Sequence, residues 1–213
     1  MRHLLASSAL ALTVAVPSLS AAQDVSVSAG FTLTSRYIAS GIEQTKGAAF
    51  QPYVEAEING FYAGIWASNV SKALLGSSSE VDLYAGYRNE VGKFSYDIGY
   101  ARYLYRGPSV NCCGEIILSL GYAVTDTFNV GATVKHDPSA SITNTSISMD
   151  FSPVDKITLA AAAGEISKGG HSYWSVGGSY ALTDNTSLDL TWHDTNITKG
   201  LVVASVSMDF SLR

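Results

Sequence analysis

The sequence predicts an all-β protein: an up-and-down antiparallel transmembrane β-barrel of about twelve strands, with ten and fourteen as the neighbouring even counts. Three observations carry that expectation. Side-chain character alternates with a period of two along nearly the whole chain beyond its first two dozen residues. The alternating segments run about 9–12 residues, the length of a tilted membrane strand and longer than an average soluble one. The connectors between them are by turns short and long, and aromatic residues gather beside the short ones.

The strands are expected to begin near Val25, Phe50, Phe61, Val81, Phe94, Ile116, Phe128, Ile142, Ile157, Tyr173, Thr186 and Leu201. The second and third flank Asn59-Gly60, and Asn-Gly between two alternating runs is a strong hairpin signal because a type I′ turn needs φ > 0 at both central residues. In that hairpin Tyr53, Glu55 and Glu57 share a face with Tyr62, Gly64, Trp66 and Ser68, while Val54, Ala56, Ile58, Phe61, Ala63 and Ile65 form the other. The fourth sets Val81, Leu83, Ala85 and Tyr87 against Asp82, Tyr84, Gly86 and Arg88. The sixth sets Ile116, Leu118, Leu120 and Tyr122 against Glu115, Ile117, Ser119 and Gly121. A weak internal repeat, GYAVTDTFNVGATV (121–134) and SYALTDNTSLDLTW (179–192), with DFSPVDKITLAAAA (150–163) as a looser copy, marks one hairpin unit used several times. The last strand alternates Val202, Ala204, Val206, Met208 and Phe210 with Val203, Ser205, Ser207 and Asp209.

Short turns are expected at 59–60, 89–92, 125–127, 152–156 and 183–185, and longer loops near 39–49, 69–80, 106–114, 136–141, 166–171 and 194–200. Five turns and six loops are what twelve strands require when both ends lie on one side.

Aromatics at the short-turn ends (Phe61, Tyr87, Phe94, Tyr122, Phe128, Phe151, Tyr180 and Phe210) form one expected interfacial girdle. A second is expected from Tyr37, Phe50, Tyr100, Trp174 and Trp192. The opposite face is small or polar and carries too many charges for a dry core, so the apolar face is expected to meet lipid. A secreted β-sandwich would also alternate, but with shorter strands and less regular loops.

The chain has 213 residues, a formal net charge of −5 and 15% charged residues. No Lys/Arg cluster occurs, so nucleic acid is not an expected partner. Arg2 and His3 precede an apolar stretch at 4–16, and the small residues Ser20, Ala21 and Ala22 follow. That order reads as a secretory signal peptide, residues 1–22, leaving 23–213 as a single outer-membrane barrel domain. No later apolar run reaches the roughly 18 residues of a membrane helix.

The segments SRYIASGI (35–42), NGFYAGIWASNVS (59–71), EVDLYAGYR (80–88) and YDIGYARYLYRG (96–107), with Glu115, resemble the TorF-family porins, also grouped as a proteobacterial family of poorly defined function. The resemblance is densest over residues 34–120 and implies an outer-membrane barrel with a porin role. The chain departs from the family at Ala39-Ser40, where an aromatic and an arginine are usual. It departs again at its last residues, where Phe210 is followed by Ser211, Leu212 and Arg213 instead of closing on the aromatic that assembly machinery reads.

By parity, Arg36, Glu55, Glu57, Asp82, Arg88, Asp97, Glu115, Lys135, Asp150, Asp189, His193 and Asp209 are expected to line the lumen. Carboxylates exceed fixed cations in that set, which favours cations in a narrow low-dielectric passage. The alternative is that these charges pair across the lumen and plug it, since twelve strands lie between filled eight-stranded barrels and open 16–18-stranded porins. His136-Asp137, His171-Ser172 and His193-Asp194 fall at the loop rim, but no GxSxG or HExxH accompanies them, so neither an enzymatic nor a metal site is expected. Adjacent Cys112 and Cys113 would form a strained disulfide, because neighbouring Cα atoms lie about 3.8 Å apart, below the usual range. The functional expectation is passive diffusion of small hydrophilic solutes with a mild cation preference, without cofactor; the alternative is a non-conducting structural or surface-binding barrel. Expected partners are outer-membrane lipid and lipopolysaccharide, the solutes themselves, and the barrel assembly machinery during biogenesis.

Overall fold

A computed structural model describes residues 25–106 and 113–213. The expected signal peptide, and Cys112, lie outside the described residues. Period-two alternation with polar turns yields β1 (Ser26–Thr34), a small hairpin of β2 (Ile38–Ala39) and β3 (Ile42–Glu43), β4 (Ala49–Ile58), β5 (Phe61–Asn69), and a single helical turn α1 (Lys72–Leu75). Then come β6 (Ser79–Val91), β7 (Phe94–Tyr105), β8 (Gly114–Ala123), β9 (Phe128–Asp137) and β10 (Ile142–Val154). The chain ends with β11 (Ile157–Ile166), β12 (Ser172–Thr183), β13 (Thr186–Thr195) and β14 (Leu201–Ser211).

Twelve of these strands, β1 and β4 to β14, pair antiparallel in chain order and close into a barrel through β1 and β14, from Ser28↔Ser211 to Thr34↔Ser205. Closure leaves no sheet edge exposed. Strands begin as expected at Phe61, Phe94, Phe128, Ile142, Ile157, Thr186 and Leu201, and elsewhere within two residues of expectation. Asn59 and Gly60 have φ of 52° and 83°, the left-handed pair that a two-residue hairpin turn demands. The register slips between Phe151 and Val154 on β10, where Pro153 has no N–H to give to the ladder.

The outward face is apolar and exposed: Leu33, Val54, Ile65, Leu83, Ile98, Ile147, Leu159, Val176, Leu190 and Val202 all point away from the interior. An uninterrupted apolar belt of that kind suits contact with hydrocarbon. At the short-turn rim Phe61 packs on Tyr87 with the rings tilted and their centroids 4.7 Å apart, and Tyr96 bridges Tyr87 and Phe94 at 6.2 and 6.3 Å. At the loop rim Phe50, Tyr100, Trp174 and Trp192 are outward and exposed. Tyr37, expected among them, is 7% exposed and packs instead on Trp66 at 5.5 Å. The chain turns inward after β1, which carries that ring into the barrel mouth.

Candidate functional site in the barrel interior

Alternation places every strand residue expected in the lumen on the inward face. Glu55 and Glu57 lie on β4, Asp82 and Arg88 on β6, Asp97 on β7, Glu115 on β8 and Lys135 on β9. Asp150 lies on β10, Asp189 and His193 on β13, and Asp209 on β14. Arg36 differs, because β1 stops at Thr34 and alternation no longer governs it. It sits in the first long loop, with its Nε 3.6 Å from Glu43 Oε1.

The two sides of the interior are built differently. Along β4–β8 it is filled. Arg88 donates to Glu55 and, through Nε at 3.0 Å, to Glu57, while its guanidinium lies 4.1 Å from the Tyr62 ring centroid. The Tyr62 hydroxyl donates to Asp97 Oδ1 at 2.6 Å. Tyr62 can lie flat on the wall because Gly86 and Gly99 carry no Cβ where its hydroxyl sits, and Tyr84 uses Gly64 in the same way. Tyr62, Tyr84, Ala101 and Ile117 form a buried cluster with Trp66 and Tyr103 against it. Tyr103 donates to Glu115 Oε2 at 2.5 Å and Tyr105 to Glu80 Oε1 at 2.7 Å. Glu80 shares the parity of Asp82 and is buried, but the sequence reading placed it in a loop because the strand was expected to start at Val81.

Along β10–β14 the inward side chains are mostly serine, threonine, alanine and glycine. Ser148 of β10 faces inward, opposite Gly131 and Ala162, and is nevertheless exposed. Asn129 donates to Asp150 Oδ2 at 2.7 Å, and the Tyr53 hydroxyl crosses Gly30 to donate to Asp209 Oδ1 at 2.7 Å. The interior is thus packed on one side and polar with small side chains on the other.

The mouth at the long-loop rim is crossed by the β2–β3 hairpin, which falls in the longer loop expected near residues 39–49. Its base is tied by Gln44 N–H to the Tyr37 carbonyl, Tyr37 N–H to Thr45 Oγ1, and Ser71 N–H to the Gln44 carbonyl, each at 2.8 Å. Burial, with Glu80 and Asp82 nearby, pushes the Tyr37 phenol well above its ordinary range and keeps it protonated. The tip, Ser40-Gly41, has φ of 48° and 80°, a second two-residue turn with both centres left-handed. Asn144 Nδ2 donates to Ser40 Oγ and His171 Nε2 to the Ser40 carbonyl, both at 2.7 Å, while Tyr173 donates to Asn144 Oδ1 at 2.8 Å. Asn144 belongs to β10, five strands from β1 in one direction and six from β4 in the other. The hairpin therefore spans the mouth and is clasped by the far wall.

The rim histidines stand apart. His136 Nδ1 lies 3.0 Å from Thr143 Oγ1, His171 holds Ser40, and His193 faces the lumen. Among the described residues no group of three or more His, Cys, Asp or Glu is placed to hold a metal ion. Cys113 is disulfide-bonded.

Over residues 19–211 the sequence matches the profile of a family described as a bacterial protein of unknown function (Gcw_chp). The chain belongs to this family. The match is to that description, and not to the TorF name that the sequence segments suggested. No curated protein matches. Among solved structures, a KdgM porin superposes with a TM-score of 0.67 at 13% identity, covering 87% of this chain and 99% of that one. A KdgM porin in complex with disordered oligogalacturonate superposes at 0.63 and 12% identity, covering 88% and 99%. These likenesses establish the porin-like barrel fold of this Gcw_chp member.

Proposed function

We propose that this Gcw_chp protein is an outer-membrane channel through which small hydrophilic solutes diffuse passively, cations in preference to anions. The observation that carries the reading is the contrast between the faces: an exposed apolar belt outside, and inside a polar wall on which Ser148 remains exposed. Carboxylates outnumber the fixed cations Arg88 and Lys135 on the inward face of the strands, which focuses a negative potential in a low-dielectric passage. Passive diffusion needs no nucleophile and no cofactor. Export would depend on removal of residues 1–22, and insertion on the barrel assembly machinery, with lipid and lipopolysaccharide around the belt. The oligogalacturonate named with one KdgM porin is a polyanion. The acidic interior here opposes such a ligand and supports small cations instead.

The test is single-channel recording of the refolded protein in a planar bilayer, with reversal potentials in a KCl gradient. Discrete steps with a cation-biased reversal potential are expected. A second reading, a non-conducting surface-binding barrel, is favoured by the clasped hairpin across the mouth. Insertion without steps, persisting when the clasp is removed by Asn144→Ala, would refute the channel and support that reading.

A further inference from the structure

The β2–β3 hairpin roofs one half of the mouth, and that half is the one with space beneath it. Its tip meets β10 at Asn144, and Gly41 lies so close to Tyr173 of β12 and Thr195 of β13 that a Cβ there would collide with both. Those strands carry the small inward side chains, among them Ser146, Ser148, Ser175, Gly177 and Ser179. The opposite half is closed by its own packing, which leaves Ala101 0% and Tyr62 4% exposed. We infer that the hairpin is a gate over the small-residue side of the lumen, fixed at its base and latched at its tip by Asn144 and His171. The inference rests on the channel reading above.

The two ends of the hairpin are held differently. At the base Tyr37, Ile38, Gln44 and Thr45 are all buried, and Tyr37 packs with Ala49, Val70 and Trp66. The chain beyond them is pinned again by Lys46 N–H to Ser71 Oγ at 2.7 Å and Phe50 N–H to Asn69 Oδ1 at 2.8 Å. Residues 39–43 are only half-buried. Among the described residues the tip has two hydrogen bonds to the far wall, both accepted by Ser40 and both given by side chains. Bonds of that kind exchange for water at small net cost, whereas lifting the base would strip buried polar groups of their partners. Ser40 itself points to a latch. A turn centre with φ of 48° is the place of Asn, Asp or Gly, and serine there supplies the hydroxyl that Asn144 holds. The Tyr173 hydroxyl in turn orients the Asn144 amide. Release of the tip therefore opens the passage while the base and the barrel stay in place.

The experiment records single channels of the refolded full chain for the wild type and Ser40→Gly. Glycine suits the left-handed turn better than serine and removes only the latch hydroxyl, so a hairpin with a merely structural role would be steadied by it. The gate predicts the opposite, a rise in the open-to-closed ratio of about two- to tenfold, the effect of one lost hydrogen bond. Ser40→Cys with Asn144→Cys then locks the tip. Oxidised, with the cross-link confirmed by mass, this pair should stay closed, and dithiothreitol should reopen it beyond any change in wild type, whose Cys113 is also disulfide-bonded. Should the pair not cross-link, replacing residues 38–43 by Gly-Gly should abolish the closures. Openings in Ser40→Gly no more frequent than in wild type, steady conduction through the oxidised pair, or closures that survive the deletion overturn the gate and leave the channel standing. Wild type and Ser40→Gly that both insert and never conduct overturn the channel reading itself.

Discussion

Replacing Arg88 by methionine tests whether the filled side of the interior is held by its charges. The guanidinium is 11% exposed and is shared by Glu55 and Glu57, whose side chains are 15% and 30% exposed. Removing the cation leaves two carboxylates facing each other in a poorly hydrated space. Breaking a buried pair by deleting one partner costs about 3–5 kcal/mol, and the partial hydration of Glu57 argues for the lower end, about 3 kcal/mol. Loss of the cation–π contact with Tyr62 adds roughly 0.5–2 kcal/mol, part of which the methionine side chain restores by packing. The assay is urea unfolding of the barrel refolded in lipid vesicles, followed by fluorescence of Trp66, Trp174 and Trp192. Adding Glu55→Gln and Glu57→Gln to Arg88→Met should recover more than half of the loss, since the penalty belongs to the orphaned charges. A loss below about 1 kcal/mol, or no recovery in the triple variant, would refute the reasoning.

Two further expectations concern the hairpin and the glycine seats. Asn144→Ala removes the donor to Ser40 Oγ and the acceptor of the Tyr173 hydroxyl, worth about 1–2 kcal/mol together. Amide exchange over residues 38–43 should accelerate by roughly tenfold, and unchanged protection would mean that the base contacts alone hold the hairpin. Gly86→Ala would set a Cβ onto the Tyr62 hydroxyl and the Ile98 carbonyl, with an overpacking loss of about 1–3 kcal/mol in the same urea titration. Trimming the ring by Tyr62→Ala should make the glycine substitution milder, and equal losses in both backgrounds would show that the ring does not occupy that seat.

The ring of twelve strands and its faces were legible because a membrane strand declares itself locally. Each needs about ten alternating residues, and each short turn carries its own chemistry, as Asn59-Gly60 does with both φ values positive. Parity then sends Glu55, Asp82, Asp97 and Asp189 inward without knowledge of any contact. Arg36 lay beyond that rule because β1 ends at Thr34, and Glu80 was missed by one residue of strand boundary. Segment 35–48 carries no period long enough to read, so the β2–β3 hairpin within it had no sequence signature beyond its Ser40-Gly41 tip.

By itself, then, the sequence determined the approximate number of barrel strands, the alternation and most of the charges that face inward, because those follow from the geometry of single strands. Only the tertiary structure decided which inward groups meet one another. Arg88 meets Glu55 and Glu57 across two intervening strand pairings, Tyr62 finds its seats on Gly86 and Gly99, and Ser40 reaches Asn144 across the mouth. The first two arise from the successive pairing of β4 to β7, and the third from the curling of the sheet into a barrel, which sets the first loop opposite β10.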